Sequence, residues 1–305
     1  MNTKPLVIYH GNCADGFGAA WAVREAHRTF NLQYQPEELV FHAGVYQKPP
    51  PDVTDMDVIM VDFSYKRPVL LEMAEKAHSI IILDHHKTAE ADLVDLPKNV
   101  NARFDMEQSG AMLAWNFYFA GSGILPPRLL KHIEDRDLWR FKLEHTREIQ
   151  AALFSFPYDF EVWDKLMFDQ NWNPVAEGQA IERKHFKDIK ELVAVTMQWW
   201  EIAGYKVPVA NLPYTFSSDA GHYMWETNGA PFAACYWDTP TGRTFSLRSR
   251  PDFDCSAIAK QYGGGGHKNA AGFSVNKQHP LSTGVGENAK GGTAVLGDIQ
   301  QSPSR

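Results

Sequence analysis

Six residues that can bind a cation or carry a proton fall in three short stretches of the first ninety positions. His10 and Asp15 lie in HGNCADG, Asp62 closes VIMVD, and Asp84, His85 and His86 follow IIIL. Imidazoles and carboxylates without a paired thiolate motif form a donor set for divalent cations such as Mn²⁺, with Mg²⁺ or Co²⁺ as alternatives. A cation held among such groups can acidify a bound water and stabilise developing negative charge. Taken singly, each residue also reads as a polar turn residue ending a strand. Their recurrence at successive strand ends argues for a shared site.

The elements that must position them follow from the apolar pattern. Leu6–Tyr9, Val58–Asp62 and Ile80–Leu83 are short runs rich in β-branched residues, and residues 39–41 form a further strand candidate. Helical patterns separate them, from about Phe17 to His27 and from Pro68 to Ala77. Strands alternating with helices predict an α/β domain with a parallel sheet covered on both faces. In such sheets ligands bind at the carboxyl ends of the strands, where His10, Asp62 and Asp84 are expected. Ser109 reads as a helix N-cap, and a second helix starts after Pro126-Pro127 and carries LLKHIEDRDLWRF. His132, His145 and His185, in charged helical surroundings, read as surface residues.

The long charged stretch 174–202 reads as a connecting helix, with Met197, Trp199 and Trp200 packing it. The expected organisation is a catalytic domain over 1–173, this helix, a smaller α/β domain over 203–277, and a flexible tail over 278–305. Neighbouring residues on a strand point to opposite faces, so His85 and His86 should differ in role, one toward a metal and the other toward substrate, with Asp84 orienting a ring.

A formal charge of −7 argues against the broad basic face that long duplex nucleic acid needs and leaves room for a small phosphorylated substrate. Three scattered cysteines suit a reduced, cytoplasmic setting without disulfides. The apolar run before His10 is too short for a signal sequence or a membrane span, and no membrane association is expected.

In order, HGNCADGFGAAWA (10–22), VDFS (61–64), DHH (84–86), IEDRDLW (133–139), SLRSR (246–250) and GGGGHKNAAGF (263–273) resemble the motifs of the DHH phosphoesterase superfamily. The last two resemble its associated substrate-binding domain (DHHA1). This superfamily includes exonucleases, nanoRNases, cyclic-dinucleotide phosphodiesterases and exopolyphosphatases. The resemblance implies two divalent metal ions, with Asp62 as the bridge. Asp15, His85 and Asp135 would complete one metal and His10 would serve the other, with Asp84 and His86 as the catalytic pair. The family's usual Asp-x-Asp in the first motif is interrupted, because the earlier aspartate falls on Cys13. Either Cys13 or Asn12 takes its place, or His10 compensates. On a helix Asp135 and Asp137 lie about 200° apart, so only one faces the site. The family pattern favours Asp135.

In the second domain Arg248 and Arg250, two apart on an expected strand, would project together as a fork for phosphate. Gly265 and Gly266 would let backbone amides approach a ligand, and His267 would add a donor or a stacking surface. The expected activity is hydrolysis of phosphodiester bonds in short oligonucleotides or small, including cyclic, nucleotides. Alternatives are an exopolyphosphatase or phosphomonoesterase on the same metals, or a nucleotide-binding protein without hydrolysis. A homodimer is compatible with the sequence.

Overall fold

The structure is a computed structural model that describes residues 4–46 and 48–283. The chain divides into two compact units, Met1–Asp188 and Ile189–Arg305.

In the first unit the elements run β1 (Lys4–His10), α1 (Ala14–Phe30), β2 (Val40–Gly44), β3 (Met56–Val61), α2 (Arg67–Lys76), β4 (Ser79–Asp84), α3 (Lys87–Asp92) and β5 (Val100–Phe104). Helices α4 (Gly110–Phe119), α5 (Arg128–Asp137), α6 (Thr146–Leu153) and α7 (Phe160–Phe168) follow, and α8 (Pro174–Thr196) begins in this unit and ends in the second. Among the described residues five strands pair in the order β2-β1-β3-β4-β5, all parallel. The period-2 pattern decides which face each side chain fills. Leu6, Ile8, Val58, Met60, Ile80 and Ile82 pack with Leu70 and Met73 of α2. Val7, Ile59, Val61 and Leu83 pack on the other face with α1, α4 and α5. Burial on both faces explains why these strands are continuously apolar. The chain moves from β1 outward to β2 and then returns to place β3 on the other side of β1. That reversal opens a crevice at the carboxyl ends of β1 and β3.

Trp21 of α1 is fully buried and its Nε1 donates to Asp164 Oδ1 of α7 at 2.7 Å. Truncating a buried tryptophan of this kind costs about 3–5 kcal/mol. Asp164 also accepts from Arg24 Nη1 at 2.9 Å, a partly exposed pair worth about 1 kcal/mol at most.

His132 is not a surface residue. It is 3% exposed, and its Nδ1 lies 2.8 Å from Thr146 Oγ1 while Arg128 Nε donates to Nε2 at 3.1 Å. Thr146 donates its own hydroxyl proton to Asp135 Oδ2 at 2.6 Å. Nδ1 must therefore carry the ring proton and Nε2 must be bare, so the neutral ring is the one that fits. Burial and the Arg128 guanidinium push this histidine down to about 4. A histidine whose folded pKa is depressed gives stability that is full above its unfolded pKa of about 6.5 and is lost as pH falls toward 4. The contribution is on the order of 3 kcal/mol at most. Denaturant unfolding at several pH values in that window should show wild type losing stability more steeply than His132→Asn.

The second unit contains β6 (Gln198–Ile202), β7 (Tyr205–Asn211), α9 (Ser217–Asn228), β8 (Phe232–Thr239), β9 (Gly242–Ser249), α10 (Cys255–Gln261), β10 (Gly265–Gly266) and β11 (Ala270–Asn276). The sheet order is β10-β11-β9-β8-β7-β6, with β7 and β8 parallel and the other pairs antiparallel. The expected connecting helix ends earlier than 202, because Trp199 and Trp200 belong to β6. A turn at Ala203 and Gly204, both at positive φ (51° and 79°), folds β6 onto β7. Trp200 is buried in this unit's core with Phe245, Phe273 and Ile258.

Lys277 does not mark the start of a loose tail either. Residues 280–282 form a short 3-10 turn, Leu281 is fully buried, and its carbonyl accepts from Arg243 Nη1 at 3.0 Å. The rest of the expected tail, 284–305, lies outside the described residues. Cys13, Cys235 and Cys255 are free thiols. Among the described residues no helix is long and apolar enough to cross a membrane.

Candidate metal centre

The crevice at the ends of β1 and β3 holds a concentrated group of charges. Asp62 follows β3 with φ 54°, a left-handed conformation, while its N–H still donates to Leu83 O at 2.9 Å. A non-glycine residue in that region is uncommon and marks a position fixed by its surroundings. Its side chain is enclosed. Oδ1 lies 2.9 Å from His85 Nε2, and Oδ2 is buried without a hydrogen bond, 3.4 Å from His10 Nδ1.

His85 Nε2 is also 3.5 Å from Asp15 Oδ2 and 3.7 Å from Asp137 Oδ2, so three carboxylates converge on one imidazole nitrogen. The consequences for protonation run in opposite directions. Burial pushes Asp62 up, but His10 and His85 outweigh it and hold its carboxyl below the ordinary range. For Asp15, burial and the charges of Asp62 and Asp137 act together and raise it well above that range. Burial lowers His85, yet Asp62, Asp137 and Asp15 prevail and raise it strongly.

Asp15 is held by the start of α4. Gly110 N–H donates to its Oδ2 at 2.6 Å and Ala111 N–H to its Oδ1 at 3.0 Å. The N-cap forms as the sequence indicates, with Ser109 Oγ accepting from Met112 N–H at 3.3 Å. A helix N-terminus favours a carboxylate at this point. Gly110 is needed for space, since a Cβ there would lie 2.3 Å from Asp62 Cβ and 2.8 Å from Asp62 Cγ. Gly110→Ala should therefore displace Asp62, costing about 1–3 kcal/mol of stability and weakening Mn²⁺ binding. Thermal unfolding with and without Mn²⁺ would show this as a smaller metal-induced rise in Tm than in wild type.

Asp84 is fully buried and organises the triplet. Its Oδ1 accepts from His85 N–H at 2.8 Å and lies 2.7 Å from His86 Nδ1, and its Oδ2 accepts from Ser64 Oγ at 2.8 Å. Burial raises its carboxyl, but His86 more than compensates and keeps it ionised below the usual range. His85 is 1% exposed in its side chain and His86 12%, so the two adjacent rings meet different surroundings.

Two expected placements are corrected. Asp137, not Asp135, stands beside His85, with its side chain 28% exposed at the rim. Asp135 turns away and accepts from Lys142 N–H at 2.8 Å, Leu143 N–H at 3.0 Å and Thr146 Oγ1 at 2.6 Å. It shapes the loop that joins α5 to α6. In the second unit β9 ends at Ser249, so Arg250 does not share a strand face with Arg248. Arg250 is exposed and pairs with Asp252 at 2.8 Å, whereas Arg248 reaches Ser218 Oγ and Ser246 Oγ at 3.3 and 3.1 Å. Gly265 and Gly266 form the short strand β10 paired with Gly272 and Ala271. Gly266 adopts φ 136°, and a Cβ there would lie 2.6 Å from Ala270 O, so its lack of a side chain is explained by packing. His267 N–H closes the turn by donating to Ala270 O at 2.8 Å.

Ser64, the hydroxyl partner of Asp84, sits inside VDFS without a sequence signal for that role. The α4 N-terminus that cradles Asp15 has no local signal either, because that contact spans 95 residues.

The donor set fits divalent cations on the evidence of its own geometry. Three carboxylates gathered on one imidazole, with a buried carboxylate oxygen lacking a hydrogen bond, form an arrangement that a cation would stabilise. The ligand atoms of Asp15, Asp62 and His85 lie within 4.8 Å of one another, as do those of His10, Cys13 and Asp62.

No family model matches the chain. It is 31% identical over 289 residues to an uncharacterized protein of Acanthamoeba polyphaga mimivirus, covering 89% of this chain and 67% of that one. Among solved structures it resembles the DHH domain of a member of a ribosomal-protein family, at TM-score 0.60 and 14% identity, over 92% of this chain and 85% of the other. It also resembles RecJ from Thermus thermophilus, solved in complex with Mn²⁺, at TM-score 0.53 and 14% identity, over 92% of this chain and 50% of that one.

Proposed function

We propose that the chain, which shares the fold of DHH-domain proteins, belongs to the DHH superfamily and is a metal-dependent phosphoesterase. Its proposed reaction is hydrolysis of phosphodiester bonds in short oligonucleotides or small, including cyclic, nucleotides. The observation that carries this reading is the convergence of Asp15, Asp62 and Asp137 on His85 Nε2, with Asp62 Oδ2 turned toward His10.

In this reading Asp15, Asp62, His85 and Asp137 would hold one divalent cation, and Asp62 together with His10 would help to hold a second. When bound, such a pair supplies Lewis-acid stabilisation of phosphoryl oxygens and a water acidic enough to react near neutral pH. Mn²⁺ suits the mix of carboxylate and imidazole, and the related RecJ fold was solved with that ion.

The chain's own residues have separable tasks. Asp62 presents its two oxygens in different directions. Asp15 is pre-oriented by two backbone amides of α4, so little reorganisation accompanies binding. Asp84 fixes His86 through Nδ1, so Nε2 is the atom through which His86 would exchange a proton with a phosphate oxygen. In the second unit Arg248 and His267 are the groups proposed to hold phosphate or base.

The formal charge of −7 supports a small substrate over a long polyanion. The test is a panel of pApA, longer oligoribonucleotides, cyclic dinucleotides, pAp and polyphosphate, each assayed with Mn²⁺. Turnover is expected to be fastest on the shortest nucleotides. Preference for polyphosphate would overturn the nucleotide assignment.

A further inference from the structure

The two halves of the metal centre do not offer the same donors. Asp15, Asp62 and His85 provide two oxygens and a nitrogen within 4.8 Å of one another, whereas His10, Cys13 and Asp62 provide a nitrogen, a sulfur and an oxygen within the same limit. Cys13 precedes α1 in extended backbone (φ −129°, ψ 132°), and its thiol makes no capping hydrogen bond to that helix. The carboxylate oxygen on this side, Asp62 Oδ2, is a buried atom without a hydrogen bond, 3.4 Å from His10 Nδ1. A sulfur, an imidazole and an unsatisfied carboxylate oxygen thus face a common point.

We infer that Cys13 Sγ is a metal ligand, so that the centre joins a soft position (His10, Cys13, Asp62) to a hard one (Asp15, Asp62, His85, Asp137). This rests on the proposed metal centre and adds to it a choice of ion. Thiolate donors favour Zn²⁺ and Co²⁺ over Mg²⁺, while oxygen-rich positions accept Mn²⁺ or Mg²⁺. On binding, the thiol gives its proton to solvent and the sulfur lone pair goes to the cation. The soft position is therefore expected to retain a thiophilic ion when the hard position exchanges.

Co²⁺ titration of the full chain after chelator treatment tests this, because cobalt reports its ligands by absorption without any assay of activity. Wild type should develop a near-ultraviolet sulfur-to-cobalt charge-transfer band that saturates with added Co²⁺. The band should vanish in Cys13→Ser and persist in Cys235→Ser and Cys255→Ser. Cys13→Asp, a second variant that keeps a ligand at the position, should bind Co²⁺ with visible ligand-field bands alone. Its preference for Zn²⁺ over Mn²⁺ should fall by about tenfold or more. Ligand-field bands in wild type without charge transfer, or a band surviving in Cys13→Ser, would overturn thiolate ligation and leave the metal centre standing. Absence of any cobalt binding would overturn the metal centre as well.

Discussion

Asp62→Asn is expected to lower Mn²⁺-dependent hydrolysis of bis-p-nitrophenyl phosphate by about 10³-fold or more, corresponding to about 4 kcal/mol of transition-state stabilisation. The expectation follows from position. Asp62 is 1% exposed, one oxygen meets His85 at 2.9 Å, and the other faces His10 at 3.4 Å. No other carboxylate in the group addresses both histidines at these distances. The amide keeps the size of the side chain, so the Gly110 contact and the left-handed backbone are preserved. Unchanged far-ultraviolet circular dichroism together with lost turnover would assign the effect to the site. Equal rates for wild type and Asp62→Asn would refute hydrolysis at this cluster.

The second large effect separates two aspartates that lie on the same helix. Asp137→Asn should reduce turnover by about 10²-fold or more, beyond the usual cost of losing an outer partner of a ligand, with Tm little changed. Asp135→Ala should do the reverse. It strips partners from two backbone amides and the Thr146 hydroxyl, a loss of about 2–4 kcal/mol. Thermal unfolding and steady-state rates on both variants form the comparison. If Asp135→Ala, assayed where it remains folded, abolished turnover while Asp137→Asn did not, the placement of Asp137 at the site would lose its functional meaning.

The parallel sheet was legible because strands buried on both faces must be apolar throughout, and LVIY, VIMV and IIIL have little other explanation. The convergence of His10, Asp62 and Asp84 followed from strand polarity. Ser109 was legible too, as a capping residue ahead of an apolar helix. Strand β5, with its alternating exposure, and helices α3 and α6 gave weaker local patterns and went unread. The stretch through Trp199 and Trp200 prolongs an apolar pattern compatible with helix or strand, and only the Ala203-Gly204 turn breaks the ambiguity. Arg250 lies past the end of β9, and Pro251 next to it is the sequence signal for leaving the ladder.

The choice between Asp135 and Asp137 had no local signal. Helical geometry says that one of them faces the site, but the decision is made by Lys142, Leu143 and Thr146 on a later loop. The cradle of Asp15 by α4 is non-local in the same way. What the residue pattern supplied was the donor types and the edge of the sheet, and long-range packing decides which carboxylate stands beside His85.

The most direct test is to titrate chelator-treated protein with Mn²⁺, counting bound ions by the paramagnetic resonance of the free metal and measuring diester hydrolysis on the same samples. Two bound ions per chain are expected, with activity absent in the metal-free protein and appearing as the second ion binds. Hydrolysis that survives chelation, or protein that binds no Mn²⁺ while remaining folded, would contradict the account.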